Sequence, residues 1–227
     1  MRKLVTVSVV VGLLSLVLAG AALAAFTQTS AITLTAHKAG QTTGIKANVS
    51  SSDPSVPQPK AAKVLVVTFP SGTKFNLGTP LVTTCKLSGT QLAAGTACPA
   101  KSLIGTGSAV ANAYPLAPAV PATVKAYVSS SKSMVMVATA TVFGETMRTI
   151  IPATVSGAKL TIPVPTPVVS TIKIVLVSLK LNVPAKGSGK TALITAGKCS
   201  AHKFVVKSHF TYVDGSTFNT TSSSACS

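Results

Sequence analysis

The chain has 227 residues, with 20 Lys and Arg against 3 Asp and Glu, and 47% of its residues are hydrophobic. Apolar content near the globular average excludes wholesale disorder. Three carboxylates argue against paired-carboxylate catalysis, acidic calcium loops and carboxylate-rich metal sites. The absence of Trp and an aromatic content of 4% weaken stacking on sugars or single-stranded nucleic acid.

Arg2 and Lys3 precede an uncharged apolar run, Leu4 to Leu18, followed by Ala19-Gly20-Ala21-Ala22-Leu23-Ala24. This is the order of a secretory signal peptide: charged n-region, apolar h-region, small-residue cleavage site. Ala22 and Ala24 occupy the −3 and −1 positions, so residues 1–24 are expected to be removed, with Ala25 opening the mature chain. No cysteine stands near the cut, which argues against a lipoprotein anchor. The competing reading is an uncleaved anchor helix, since Leu4 to Ala25 is long enough to span a bilayer. No later segment forms a second span; the longest, Ile172 to Leu181, is broken by Lys173, Ser178 and Lys180.

Beyond the leader, short Val-, Ile- and Thr-rich segments alternate with Gly, Pro and Ser, which predicts an all-β domain. Residues 25–60 hold a first strand pair, Ala31 to Ala36 and Ile45 to Val49, and a Pro/Ser-rich loop from Ser50 to Lys60. Residues 61–227 form the main β domain. Ala62 to Phe69 opens it as a strongly apolar strand, stopped by Pro70-Ser71-Gly72. Ser88-Gly-Thr-Gln91 matches a capping box and predicts one or two helical turns, and Pro99 suits the start of another. Strands are then expected over Ile104–Tyr114, Ala122–Ser129, Met134–Phe143, Met147–Val155, Lys159–Val164, Ile172–Val183 and Thr191–Ala196.

In Lys203 to Val213 the even positions Phe204, Val206, Phe210 and Tyr212 form an apolar face broken only by Ser208. Asp214-Gly215 reads as a two-residue hairpin turn, with Ser216 to Thr221 returning. That register sets Cys226 opposite about Lys203, so a bridge to Cys199 requires the chain to bend back between Cys199 and His202. Ten to twelve short strands suit one large β-sandwich or two stacked β units, with one or two short helical turns.

Outside the cytoplasm the four cysteines, Cys85, Cys98, Cys199 and Cys226, read as two disulfides. Of three connectivities we favour Cys85–Cys98 and Cys199–Cys226, because each pair brackets a compact local unit. A zinc site fails on spacing, since no two cysteines lie two to four residues apart.

Loss of Arg2 and Lys3 lowers the net charge from +17 to +15, and Arg148 is then the only arginine. Lysine acts as a hydrated point charge rather than a bidentate phosphate fork. The lysines are scattered, from Lys38, Lys46 and Lys60 to Lys101 and Lys125, as a solvated, self-repelling surface would have them. The functional counterpart is attraction to an anionic wall polymer or membrane surface. Nucleic-acid binding lacks arginines, aromatics and any motif.

Three motifs invite a sharper function. Gly187-Ser-Gly-Lys-Thr191 resembles the end of a phosphate loop, but Pro184 stands where its first glycine belongs and a strand is expected to follow, which excludes a nucleotide site. His37, His202 and His209 do not converge, so no metal is expected. No G-x-S-x-G elbow exists, and Asp53, Glu145 and Asp214 each fit a loop or turn. No catalytic residue and no cofactor are assigned. Asn48-Val-Ser50 and Asn219-Thr-Thr221 fit glycosylation acceptors, relevant only in a eukaryotic host.

Cys98-Pro-Ala-Lys-Ser-Leu-Ile-Gly-Thr-Gly107, Phe210-Thr-Tyr-Val-Asp-Gly215 and the closing Cys226 carry a resemblance. Over residues 61–227 approximately, the chain resembles a group of exported β-rich proteins of high-GC Gram-positive (actinobacterial) genomes. The resemblance implies an extracellular all-β domain and supports the two-disulfide frame. It transfers no catalytic residues. Tyr114 to Pro121, rich in proline, and the many lysines depart from it.

These readings describe a secreted, disulfide-stapled, non-enzymatic β-domain protein, extracellular or envelope-associated, with weak electrostatic contacts to anionic wall polymers. The alternative is an exported hydrolase with an unrecognised serine site. Self-assembly through an apolar edge strand such as Ala62–Phe69 is a third expectation.

Overall fold

A computed structural model describes residues 26–142, 144–169 and 171–227. The expected signal peptide, residues 1–24, and the expected mature start at Ala25 lie outside them. The strands in chain order are β1 Thr27–Leu34, β2 Ile45–Ser52, β3 Ala62–Thr68, β4 Lys74–Phe75, β5 Leu103–Ala113, β6 Ala117–Ser130, β7 Ser133–Val142 and β8 Glu145–Ser156. They continue with β9 Lys159–Pro163, β10 Val168–Val169, β11 Ile172–Lys173, β12 Val175–Val183, β13 Ile194–Thr195, β14 Lys203–Tyr212 and β15 Thr217–Ala225. A short helix α1, Gly89–Ala93, and two 3-10 turns complete the set.

The protein is all-β. Eleven strands make one antiparallel sheet in the order β1-β2-β12-β5-β6-β7-β8-β9-β3-β14-β15. The first strand pair belongs to this sheet, because Val49 of β2 lies opposite Leu179 of β12. The sheet curls until its edges meet: Ser30 Oγ of β1 is 3.0 Å from Ser208 Oγ of β14, and Ser222 of β15 bonds the backbone of Ile32. Ala62–Thr68 is not an edge strand. It lies between β9 and β14, and its backbone hydrogen-bonding groups are used on both sides.

Side-chain alternation places the core inside the curl. Phe204, Val206, Phe210 and Tyr212 are all buried, and Ser208, the polar exception, is buried against Ser30. In β7 the alternation disappears: Met134, Val135 and Met136 are all buried. The cause is an outer layer, in which the Cys85–Cys98 segment lays Leu92 of α1 over Val135, Tyr127 and Ile150. α1 begins as the capping box requires, with Ser88 Oγ accepting from Gln91 N and Gln91 Oε1 accepting from Ser88 N.

β6 starts at Ala117, ahead of Pro118 and Pro121, where no strand is expected. Its pairing with β7 begins only at Ala122, so the prolines face an unpaired edge and remove no ladder bond. Thr191–Ala196 is shorter than expected: a 3-10 turn covers Gly189–Thr191 and only Ile194–Thr195 pairs, with β4.

Both disulfides have the favoured pairing. The bend demanded before β14 is present, with Ala201 at φ 49° and His202 at φ 59° and reciprocal backbone bonds between Ser200 and Lys203. The terminal hairpin differs by one residue from expectation. Tyr212 N donates to Ser216 O and Gly215 N to Tyr212 O, giving a three-residue loop in which only Gly215 has positive φ. Lys203 therefore pairs with Ala225, and Cys226 lies opposite His202.

Candidate functional site: a lysine-lined cleft

Strand directions sort the connections into two ends. Residues 35–44, 69–102 and 184–202, together with the tight turns 131–132 and 157–158, lie at one end. Residues 53–61, 114–116, 164–174 and 213–216 lie at the other, where Phe26 enters. The long connections plug the first end with Phe69, Leu77, Leu193 and Ile194, all in the core.

Above that plug an open cleft of about 1050 Å³ is lined by Lys74, Lys132, Lys190 and Lys198 among neutral residues. All four lysines are exposed. Three loops build the floor. Thr43 N donates to Ile194 O, Asn76 N to Leu193 O, and Gly40 N to Ala196 O, so residues 40–43 and 74–76 flank 193–196 on either side. Thr73 Oγ1 donates to Pro70 O at 2.7 Å and accepts from Gly197 N at 3.2 Å, and Lys198 N donates to Ser71 O at 2.7 Å. Glycine is required at 197: a Cβ there would lie 2.5 Å from Pro70 O, Ser71 O and Thr73 N. Asn76 Nδ2 donates to Lys190 O, holding the loop that carries Lys190.

No carboxylate lines the cleft. Asp53 and Asp214 lie in connections at the opposite end, and Glu145 is the residue that opens β8 there. There Asp53 accepts from Ser55 N, and Asp214 accepts from Ser216 N and from Lys60 Nζ at 2.8 Å. The lysine side of the molecule is thus left with its charges unneutralised by acidic side chains.

The scattered lysines of the sequence are in part gathered. Lys74, Lys132, Lys190 and Lys198 come from three separate connections, whereas Lys63, Lys125, Lys180 and Lys207 point outward from strands. The Gly187–Thr191 motif contributes Gly189 and Lys190 to the cleft, but no α-helix follows it to present N–H groups to a phosphate. His209 Nδ1 pairs with Asn219 Oδ1 at 2.7 Å and not with a carboxylate, whereas His202 O and His37 O accept from the consecutive Cys226 N and Ser227 N. Among the described residues no group of His, Cys, Asp and Glu has metal-binding spacing, and no helix is long and apolar enough to cross a membrane.

Compared with family models, curated proteins and solved structures, the chain matches none. The two disulfides are consistent with an extracellular location.

Proposed function

We propose that this is an exported, non-enzymatic binding protein whose cleft holds a segment of an anionic polymer of the cell envelope. The observation that carries it is the segregation of charge: four lysines line one open cleft while all three carboxylates lie at the far end. Lysines spread over three connections, on flexible stems, offer spaced point charges, which suit a flexible polyanion better than a single planar anion. Each contributes up to about 1 kcal/mol near a charged surface and less as salt rises.

The test uses polyphosphate and a polyuronate as probes, at low and high salt. A K74Q/K132Q/K190Q/K198Q variant is expected to lose about tenfold in affinity at low salt, corresponding to about 1.4 kcal/mol. A K63Q/K125Q/K180Q/K207Q variant with the same net charge should lose less than about threefold. Equal losses would reduce the effect to overall charge and remove the cleft from the account. Salt-insensitive binding would remove the electrostatic mechanism itself.

A further inference from the structure

At the end opposite the cleft, apolar side chains stand out on loop tips. Val56, Tyr114, Leu116, Val168 and Val213 are between 45% and 62% exposed and belong to four different connections. Among the described residues only Leu81 and Phe218 are other large apolar side chains of comparable exposure. Singly scattered apolar side chains need no explanation, but a set confined to one end of a barrel-like body does.

The tips are structurally linked. Val168 and Val213 line one opening with Lys60 and Lys173. Gln58 Nε2 donates to both Asn112 O and Lys173 O, tying the Val56 loop to the base of the Tyr114–Leu116 tip and to the β10–β11 hairpin. Just inside, Ala111, Ala122, Ala138 and Ala140 line a small apolar cavity of about 70 Å³.

The chain also enters here. Phe26 packs edge-on against Tyr212, with ring centroids 5.1 Å apart. Seven residues, Ala19 to Ala25, connect Phe26 to the apolar run Leu4–Leu18, a reach of at most about 25 Å. In the uncleaved chain, the segment of this sequence fitted to a membrane is therefore joined to the end that carries the apolar tips.

We propose that, in the chain that retains residues 1–24, this end rests on a lipid bilayer, with the tips at 114–116, 168 and 213 inserted at headgroup depth and the lysine cleft directed away. Tyr114 suits that boundary, having an apolar ring and a polar hydroxyl. Lys60 and Lys173 can lay their stems along apolar surface while their charges remain in water. Because all three carboxylates share this end, attraction to anionic lipid does not drive the contact. Burial of apolar surface does, and the contact is insensitive to salt. The proposal stands apart from the cleft reading.

The test uses the full chain with Leu116→Cys, Val213→Cys or Lys132→Cys, each labelled with a polarity-sensitive fluorophore. The probe is phosphatidylcholine vesicles carrying a nitroxide on the acyl chain. Labels at 116 and 213 are expected to shift to the blue and be quenched, equally at low and high salt, while the label at 132 is unchanged. In the Val213→Cys chain, adding L116D and V168D should reduce quenching at least about fivefold. Quenching at 132 equal to that at 116, or none at 116 and 213, would overturn the proposal. So would a blue shift without vesicles that disappears when residues 1–25 are removed, since the chain's own N-terminal run would then cover the tips.

Discussion

Ser222 closes the curled sheet on Ile32: its Oγ accepts from Ile32 N at 3.1 Å and donates to Ile32 O at 2.6 Å. Eleven alternating strands leave β1 and β15 running in the same direction, so one side chain bonds both polar groups of a facing backbone unit. Thr220 Oγ1 and Ser224 Oγ, on the same side of β15, are buried without a partner among the described residues. Ser222→Ala is expected to cost about 1–3 kcal/mol, because it leaves Ile32 N–H and C=O without that partner. Ser224→Ala removes a desolvated hydroxyl that makes no bond and should be neutral or stabilising by up to about 1 kcal/mol. Urea unfolding of both variants checks the opposite signs.

The two disulfides close loops of sequence separation 13 and 27, which in the loop-entropy account correspond to about 2.9 and 3.5 kcal/mol. Their structural reach differs more than these figures. Cys85–Cys98 holds the outer layer over β6–β8, whereas Cys226 belongs to the main core and the following Ser227 N donates to His37 O. Replacing Cys85 and Cys98 by Ala should increase proteolysis between residues 86 and 97 while the strand signal in circular dichroism persists. Replacing Cys199 and Cys226 should lower the global unfolding midpoint.

Gly197→Ala forces a methyl group against three backbone atoms at 2.5 Å where the floor loops cross. Backbone shifts of that kind cost about 1–3 kcal/mol. The expected outcome is a lower thermal midpoint together with weaker polyphosphate binding. Gly40→Ala places a methyl group in open space but at φ 76°, so it should show backbone strain without the steric clash.

Tyr212 and Asp214 give the pH dependence. Burial, and then the negative charge of Asp214, push the Tyr212 hydroxyl up to about 12. Its contribution to stability is fully present below the ordinary tyrosine value of about 10 and is lost as pH rises toward 12. Hydrogen bonds from Lys60 and Ser216 hold the Asp214 carboxyl well below the usual carboxylate range. That contribution is present above about pH 4 and is lost as pH falls through the folded-state value. Asp214→Asn should lower the tyrosinate transition of Tyr212, read by ultraviolet absorbance, and an unchanged transition would contradict the coupling.

Some of this was determined by local chemistry and is therefore legible along the chain. The capping box at Ser88 and Gln91, the alternation of Phe204 to Tyr212, and the bend between Cys199 and His202 each involve residues close in sequence. The hairpin register missed by one because Asp-Gly permits both a two-residue turn and a three-residue loop, and pairing with β3 on the other side of β14 accompanies the latter. The prolines of β6 concealed a strand because only the position of β7 shows which edge is unpaired.

The sequence by itself determined the all-β character, the two disulfide units and the scarcity of acidic side chains, since composition, period-two patterning and short cysteine spacing are properties of the unfolded chain. Only the tertiary structure decided that β3 is interior, that the sheet closes on itself through Ser222, and that Lys74, Lys132, Lys190 and Lys198 share one cleft while Tyr114, Leu116, Val168 and Val213 share the opposite end. Those groupings join residues up to 190 positions apart, and they exist only after strand order assigns each connection to one end of the sheet.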